Sequence, residues 1–263
     1  MPKTRPSVLV TGAAAGIGRA TALRFLKAGY LVGAYDVDEQ GIESLMRAAP
    51  SGRIVGGRLD VTDADAWHDV LDEFMGHTSG RLDVLVNNAG LLRAGRFVDI
   101  PLDTQAQIVR VNVDGVINGC YMAYPFLKVT PKAQVINVCS ASAIYGQAEL
   151  ATYSATKFAV RGLTEALDVE WKDDDIRVCA VWPLFVNTGM IADEKTSSMS
   201  TLGVRLSPED VANKIFSVAK PQRLPFPQPT HIPVGAQAHA LFTTAQFTPL
   251  RVLRAVNRRI AQH

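Results

Sequence analysis

Six short apolar runs recur along this chain, at Ser7–Thr11, Leu31–Asp36, Ile54–Asp60, Val84–Asn87, Val135–Ser140 and Arg177–Trp182, and none alternates polar with apolar residues. Strands of that kind are buried on both faces, the habit of a parallel sheet covered by helices. Helical stretches fall between them, near 17–28, 63–77, 103–128 and 151–172. Gly29 follows the first where a left-handed cap belongs, and Thr62 with Asp65 opens the second in the manner of a capping box. The alternation predicts an α/β fold, a doubly wound parallel sheet that binds ligands at the carboxyl ends of its strands.

After Trp182 the alternation lapses. Residues 184–207 read as a loop or small helical flap, 208–219 as a helix, and 221–235 as a proline-rich segment with one short strand at Thr230–Val234. The 263 residues therefore divide into one α/β domain over 1–235, whose role the motifs below define, and an amphipathic tail over 236–263. A content of 48% hydrophobic and 20% charged residues is that of a globular protein. The N-terminus lacks the long apolar region of a signal peptide, and Cys120, Cys139 and Cys179 lie far apart in apolar runs. Paired ligand spacings are missing too, so no metal site is expected, and the predicted location is cytoplasmic.

The first strand runs into Thr11-Gly12-Ala13-Ala14-Ala15-Gly16-Ile17-Gly18, and a helix begins inside that motif. Glycines let the backbone approach a pyrophosphate, whose charge then meets the free N–H groups and positive dipole end of the helix. This makes the doubly wound sheet a Rossmann fold. Asp36 ends the second strand, eighteen residues past Gly18, where a carboxylate accepts hydrogen bonds from the adenine ribose hydroxyls and repels a 2′-phosphate. Asp38 adds negative charge, and neither Ala15 nor Val37 supplies a cation for such a phosphate. NAD is the expected cofactor.

Tyr153 and Lys157 stand four apart on a helical stretch, which puts phenol and ammonium on one face, one turn apart. A strand ending at Ser140 precedes Tyr153 by thirteen residues. With the glycine turn, Asp60-Val61, Asn87-Asn88-Ala89-Gly90 and Asn112, the chain resembles the classical short-chain dehydrogenase/reductase family from residue 7 to about 190.

That resemblance implies an oxidoreductase acting on an alcohol or ketone, with Tyr153 as acid and base. It implies that Lys157, helped by the positive nicotinamide ring of the oxidised cofactor, lowers the phenol's pKa and holds the nicotinamide ribose, that Ser140 bonds the reacting oxygen, and that Asn112 holds a water linking Lys157 to solvent. Ser142 competes with Ser140, which the spacing favours. Asp60 and Val61 resemble the adenine-contacting pair, and Asn88, with Ala89 and Gly90, the segment beside the cofactor ribose. Pro183 and Thr188 survive from a Pro-Gly-x-Val-x-Thr turn in which Leu184 replaces the glycine, and Thr188 then serves the carboxamide. A homo-oligomer is the usual state implied, although the Asp-Gly-Gly ending frequent among acyl-carrier-protein ketoreductases is missing.

A sensor or scaffold that had lost turnover would usually lack the tyrosine or lysine, and an epimerase would carry a larger C-terminal domain. The expected pocket is apolar, with Leu91, Leu92, Ile144, Tyr145, Trp182, Leu184, Phe185, Met190 and Ile191, and suits a lipophilic alcohol or ketone. No nucleic-acid partner is expected, since the basic residues form no aromatic-interleaved patch. The net charge of +2 hides a split, for residues 211–263 hold seven Lys/Arg and no Asp/Glu. Within the tail, Val252, Leu253, Val256 and Ile260 share one helical face and Arg251, Arg254 and Arg258 the other. Such a helix either packs on the body or a partner subunit, the favoured reading, or makes a peripheral membrane contact.

Overall fold

The computed structural model describes residues 5–191, 194, 196–220 and 228–260. Seven parallel strands form one sheet in the order β3-β2-β1-β4-β5-β6-β7. They are β1 Ser7–Thr11, β2 Leu31–Asp36, β3 Ile54–Arg58, β4 Val84–Asn87, β5 Gln134–Val138, β6 Arg177–Pro183 and β7 His231–Val234. Strand order reverses between β1 and β4, and there the connections leave on opposite faces and open a crevice at the carboxyl edge.

Two apolar layers flank the sheet. One holds α1 (Gly16–Lys27), α2 (Glu39–Ala48) and α8 (Pro208–Ala219), with Phe25, Ile42, Leu45 and Ile215 buried. The other holds α3 (Ala64–Thr78), α4 (Leu102–Val109), α5 (Gly115–Lys128) and α6 (Ala151–Glu170), around Trp67, Phe74 and Leu127. Three further helices lie among the described residues, α7 Ser197–Leu202, α9 Ala236–Phe247 and α10 Leu250–Ile260.

Helix α2 lies where the residues predict no element. Its start signal is Asp38, whose carboxylate accepts the Gly41 N–H at 3.0 Å, while only Ile42 and Leu45 are buried on its inner face. The expected cap of α3 shifts by one residue. Asp63 accepts from the N–H groups of Asp65 and Ala66, at 2.9 and 3.2 Å, and Thr62 instead donates to Asp60. Asp60 also takes the Thr62 N–H at 3.0 Å, so it belongs to a turn and β3 ends at Arg58.

The continuous helix expected over 103–128 is interrupted. Residues Arg110–Asp114 form a wide π turn, in which the Gly115 N–H reaches the Arg110 carbonyl five residues back. Such a turn inserts one residue and rotates the helix beyond it. A Cβ at Gly115 would sit 2.5 Å from Val61 Cγ2, so glycine lets α5 lie against the chain beyond β3. Gly29, at φ +90°, ends α1 as expected.

Helices α9 and α10 lie on the body. Phe242 packs edge-on against Trp182 at 5.4 Å, Gln237 donates to the Leu202 carbonyl, and Asn257 donates to the Gly146 carbonyl at 2.7 Å. The side chains of Leu253, Val256 and Ile260 lie outside the described residues, whereas Val252, expected with them, is 51% exposed. Among the described residues no helix is long and apolar enough to cross a membrane.

Candidate active site

A cavity of about 460 Å³ occupies the carboxyl edge of the sheet. Gly12 sits at its floor at φ +65°, and a Cβ there would lie 2.8 Å from the Ala89 Cα. Ala15, Gly16 and Ile17 line the cavity where α1 begins. Ala15 gives that helix no side-chain cap and its first turn holds no acid, so an anion seated there would meet unopposed N–H donors. Gly18 alone of the expected cofactor residues stands behind the wall. A Cβ at that position would come within 1.9 Å of the Gly12 carbonyl, so its role is to let α1 and the turn close on one another.

Asp36 lines the cavity beside Val37, Asp60 and Val61. Its two oxygens accept from the Ala14 N–H at 3.0 Å and the Asp38 N–H at 3.1 Å, which fixes the carboxylate at the end of β2. The carboxylate of Asp38, spent on the cap of α2, is not among the lining groups. On the opposite wall Asn88 donates to the carbonyls of Thr11 and Gly12, at 2.9 and 3.1 Å. The Thr11 hydroxyl accepts from the N–H groups of Asn88 and Ala89, so β4 and the glycine turn are sewn together. Gly90, Pro183 and Thr188 complete the lining, and the Thr188 methyl group faces Gly16.

At the other end Ser140, Tyr153 and Lys157 meet. Ser140 follows β5 and accepts from the Ser142 N–H at 3.1 Å, while α6 presents Tyr153 and Lys157 one turn apart. Lys157 is buried, donates to the Val138 carbonyl at 3.0 Å and holds Nζ 5.5 Å from the Tyr153 ring centroid. Burial pushes the Tyr153 phenol above its ordinary value, and the hydrogen bond from Ser140 pulls the other way without reversing it. Burial likewise lowers Lys157. The expected lowering of the phenol by Lys157, helped by the positive nicotinamide ring of the oxidised cofactor, works against this cost of burial.

Ser140 and Ser142 both line the cavity, but Ser140 is the one whose hydroxyl acts on the Tyr153 phenol. Ser142 stands behind it in a polar chain that the spacing of the residues did not reveal. The Ser140 and Ser142 hydroxyls are 3.2 Å apart, and Ser142 lies 3.2 Å from the buried Gln147 Oε1. Two serines and a glutamine within an otherwise apolar loop were the available signal.

Asn112 is fully buried in the π turn, and it donates to the Leu91 carbonyl at 2.9 Å and to Thr156 at 3.1 Å. Its oxygen accepts the Leu91 N–H at 2.7 Å. Both amide hydrogens are thus committed to protein groups, and the side chain clamps the Leu91 peptide through its N–H and its carbonyl.

Leu91, Leu92, Leu184, Phe185, Met190 and Ile191 line the substrate end as expected, joined by Leu150. Ile144, Tyr145 and Trp182 do not. Trp182 is fully buried against His231 and Phe242, because its position in β6 points it to the helical layer. Ile144 packs against that same layer, and Tyr145 is buried away from the cavity. The described residues contain no group of three or more His, Cys, Asp or Glu that could hold a metal ion.

Comparison with known proteins agrees with this geometry. A family profile described as short chain dehydrogenase matches residues 6–198. The chain is 36% identical over 219 residues to a 3-oxoacyl-(acyl-carrier-protein) reductase of Thermotoga maritima, covering 80% of this chain and 89% of that protein. It is 33% identical to a meso-2,3-butanediol dehydrogenase of Serratia marcescens, over 78% of this chain and 83% of the other. Its fold superposes with a TM-score of 0.79 on a 3-ketoacyl-(acyl-carrier-protein) reductase from Brucella melitensis complexed with NADH, at 27% identity over 87% of this chain and 96% of that one. The chain belongs to the short-chain dehydrogenase/reductase family, oxidoreductases that act on alcohols and ketones with a nicotinamide cofactor.

Proposed function

We propose that this enzyme uses NAD(H) in preference to NADP(H) and interconverts a lipophilic secondary alcohol with its ketone. The observation that carries this reading is the polarity of the cavity. Its adenosine end holds the fixed carboxylate of Asp36, and Lys157, at the far end, is the one cation among the described lining residues. A 2′-phosphate would meet a negative charge and no positive partner. The reductase complexed with NADH supports the same choice.

The residues fit a dinucleotide. The uncapped start of α1 and the glycine floor take the pyrophosphate, Asp36 the adenine ribose, and Lys157 with Asn88 the nicotinamide ribose. When bound, the nicotinamide accepts or gives the hydride, and its oxidised ring adds a positive charge near the phenol. Tyr153 then takes the alcohol proton during oxidation and returns it during reduction. Ser140 donates a hydrogen bond to the same oxygen and Lys157 favours the phenolate.

The substrate end is walled by Leu92, Leu150, Phe185, Met190 and Ile191, with no charged side chain among the described residues of that wall. Such a surface gains free energy from each methylene that it covers, about 0.8 kcal/mol apiece. In a series of secondary alcohols with NAD, kcat/KM should therefore rise severalfold for each added pair of carbons until the cavity is filled. A preference for short hydroxy acids or sugar alcohols in that screen overturns the lipophilic assignment.

A further inference from the structure

Hydride transfer in the cavity leaves one strongly charged surface unused. Helix α10 presents Arg251, Arg254, Arg258 and Arg259 as exposed side chains, and none of them makes an ion pair within the described residues. Residues 211–263 contain no Asp or Glu to neutralise them, whereas the first 210 residues carry 25 acidic against 20 basic groups. The cations are thus gathered on one outward face of a body of opposite sign.

The place of that face matters. Asn257 ties α10 to Gly146, within the loop from which Ser142 and Leu150 enter the cavity wall. Helix α10 also packs on α7, whose Met199 and Leu202 join Leu150, Phe185 and Leu184 in the apolar cluster around the substrate end. The arginines therefore stand beside the substrate end of the cavity, not on a remote surface. Just before them in the chain, Phe247 is 83% exposed.

We propose that this face docks the enzyme on an anionic lipid bilayer, with the substrate end of the cavity held close to the membrane surface. Charge complementarity supplies the attraction, since juxtamembrane arginines are drawn to anionic headgroups within a Debye length. Phe247 supplies an apolar contact at the headgroup boundary, which a phosphodiester backbone or a hydrated acidic protein does not reward. A flat bilayer meets the protruding basic face while the acidic body stays away from it. The arrangement also suits a lipophilic alcohol or ketone, which partitions into the same bilayer. The docking itself does not depend on that substrate.

The test is co-sedimentation of the full-length chain with vesicles of phosphatidylglycerol and phosphatidylcholine, beside vesicles of phosphatidylcholine alone. At low salt the protein should pellet with the anionic vesicles, leave them when salt is raised, and ignore the neutral ones. The double change Arg254→Glu and Arg258→Glu should lower partitioning at least about tenfold, each reversed charge losing an attraction worth about that of one surface arginine. NAD affinity and the circular dichroism spectrum should not move, because neither residue lines the cavity; their constancy separates a lost surface from a lost fold. Phe247→Ser should weaken binding without changing its salt dependence. Failure to pellet at low salt, equal binding to neutral vesicles, or binding indifferent to the arginine reversals each overturns the proposal. Retention by an acidic protein or by nucleic acid, with no vesicle binding, assigns the face to that other class instead.

Discussion

Replacing Tyr153 by phenylalanine is expected to cut turnover about 10²- to 10⁴-fold and to leave NAD affinity near that of the wild type. The change removes one oxygen from a ring that keeps its place on α6. The glycine turn, Asp36 and Lys157 are untouched, so fluorescence titration with NADH should give an unchanged dissociation constant. The pH dependence gives a second, independent sign. Oxidation requires the phenolate and burial raises the phenol, so kcat/KM for the alcohol should climb with pH from neutrality into the alkaline range. Reduction requires the neutral phenol and should decline over the same range. A phenylalanine variant retaining a tenth of wild-type kcat would falsify the assignment of the acid and base.

The second large effect is expected at Asp36. Its carboxylate is held by two backbone N–H groups at the adenosine end of the cavity. Changing it to alanine removes the acceptor of the ribose hydroxyls, and hydrogen bonds to charged groups are worth about 1.5–3 kcal/mol. NAD affinity should fall by roughly one to two orders of magnitude. The handicap of NADP should shrink as the repulsion of its phosphate disappears. Asp36→Asn keeps the shape and removes the charge, so it separates the two contributions: it should relax the discrimination more than it weakens NAD. Steady-state kcat/KM for each nucleotide reads both effects, and a wild type that already prefers NADP contradicts the role given to Asp36.

Much of this was legible in the residues because parallel strands declare themselves as unbroken apolar runs. β1, β2 and β4 fall where those runs predict, and so does α8, where Pro208 follows a Ser207 cap completed by Asp210. What escaped did so for local reasons. Helix α2 has a glycine in its first turn and a short buried face, so its periodicity is faint. The π turn at Arg110–Asp114 leaves the helical pattern on either side intact and shows only in the hydrogen bonding. Trp182, expected in the pocket, adjoins the lining residue Pro183, yet alternation along β6 sends the two side chains to opposite faces.

The site divides in the same way. Residue types with a fixed spacing, such as Tyr153 and Lys157 on one helix, carry their geometry in the sequence. Residues whose meaning depends on a partner do not. Gln147 gains significance only when Ser142 comes within 3.2 Å of it, and the side chain of Asn112 proves to be bound to the Leu91 peptide. The charge balance at Tyr153 likewise required the folded environment, since burial outweighs its neighbours there.

The central claim is that hydride passes between the carbinol carbon of a secondary alcohol and the nicotinamide of NAD. It is tested most directly with an alcohol accepted by the enzyme and carrying deuterium on that carbon. Mass spectrometry of the reduced cofactor should show one deuterium per NADH formed, with initial rates slowed by the label where hydride transfer limits them. Reduced cofactor without label, or ketone formed with the deuterium lost to water and NAD unchanged, would contradict the claim.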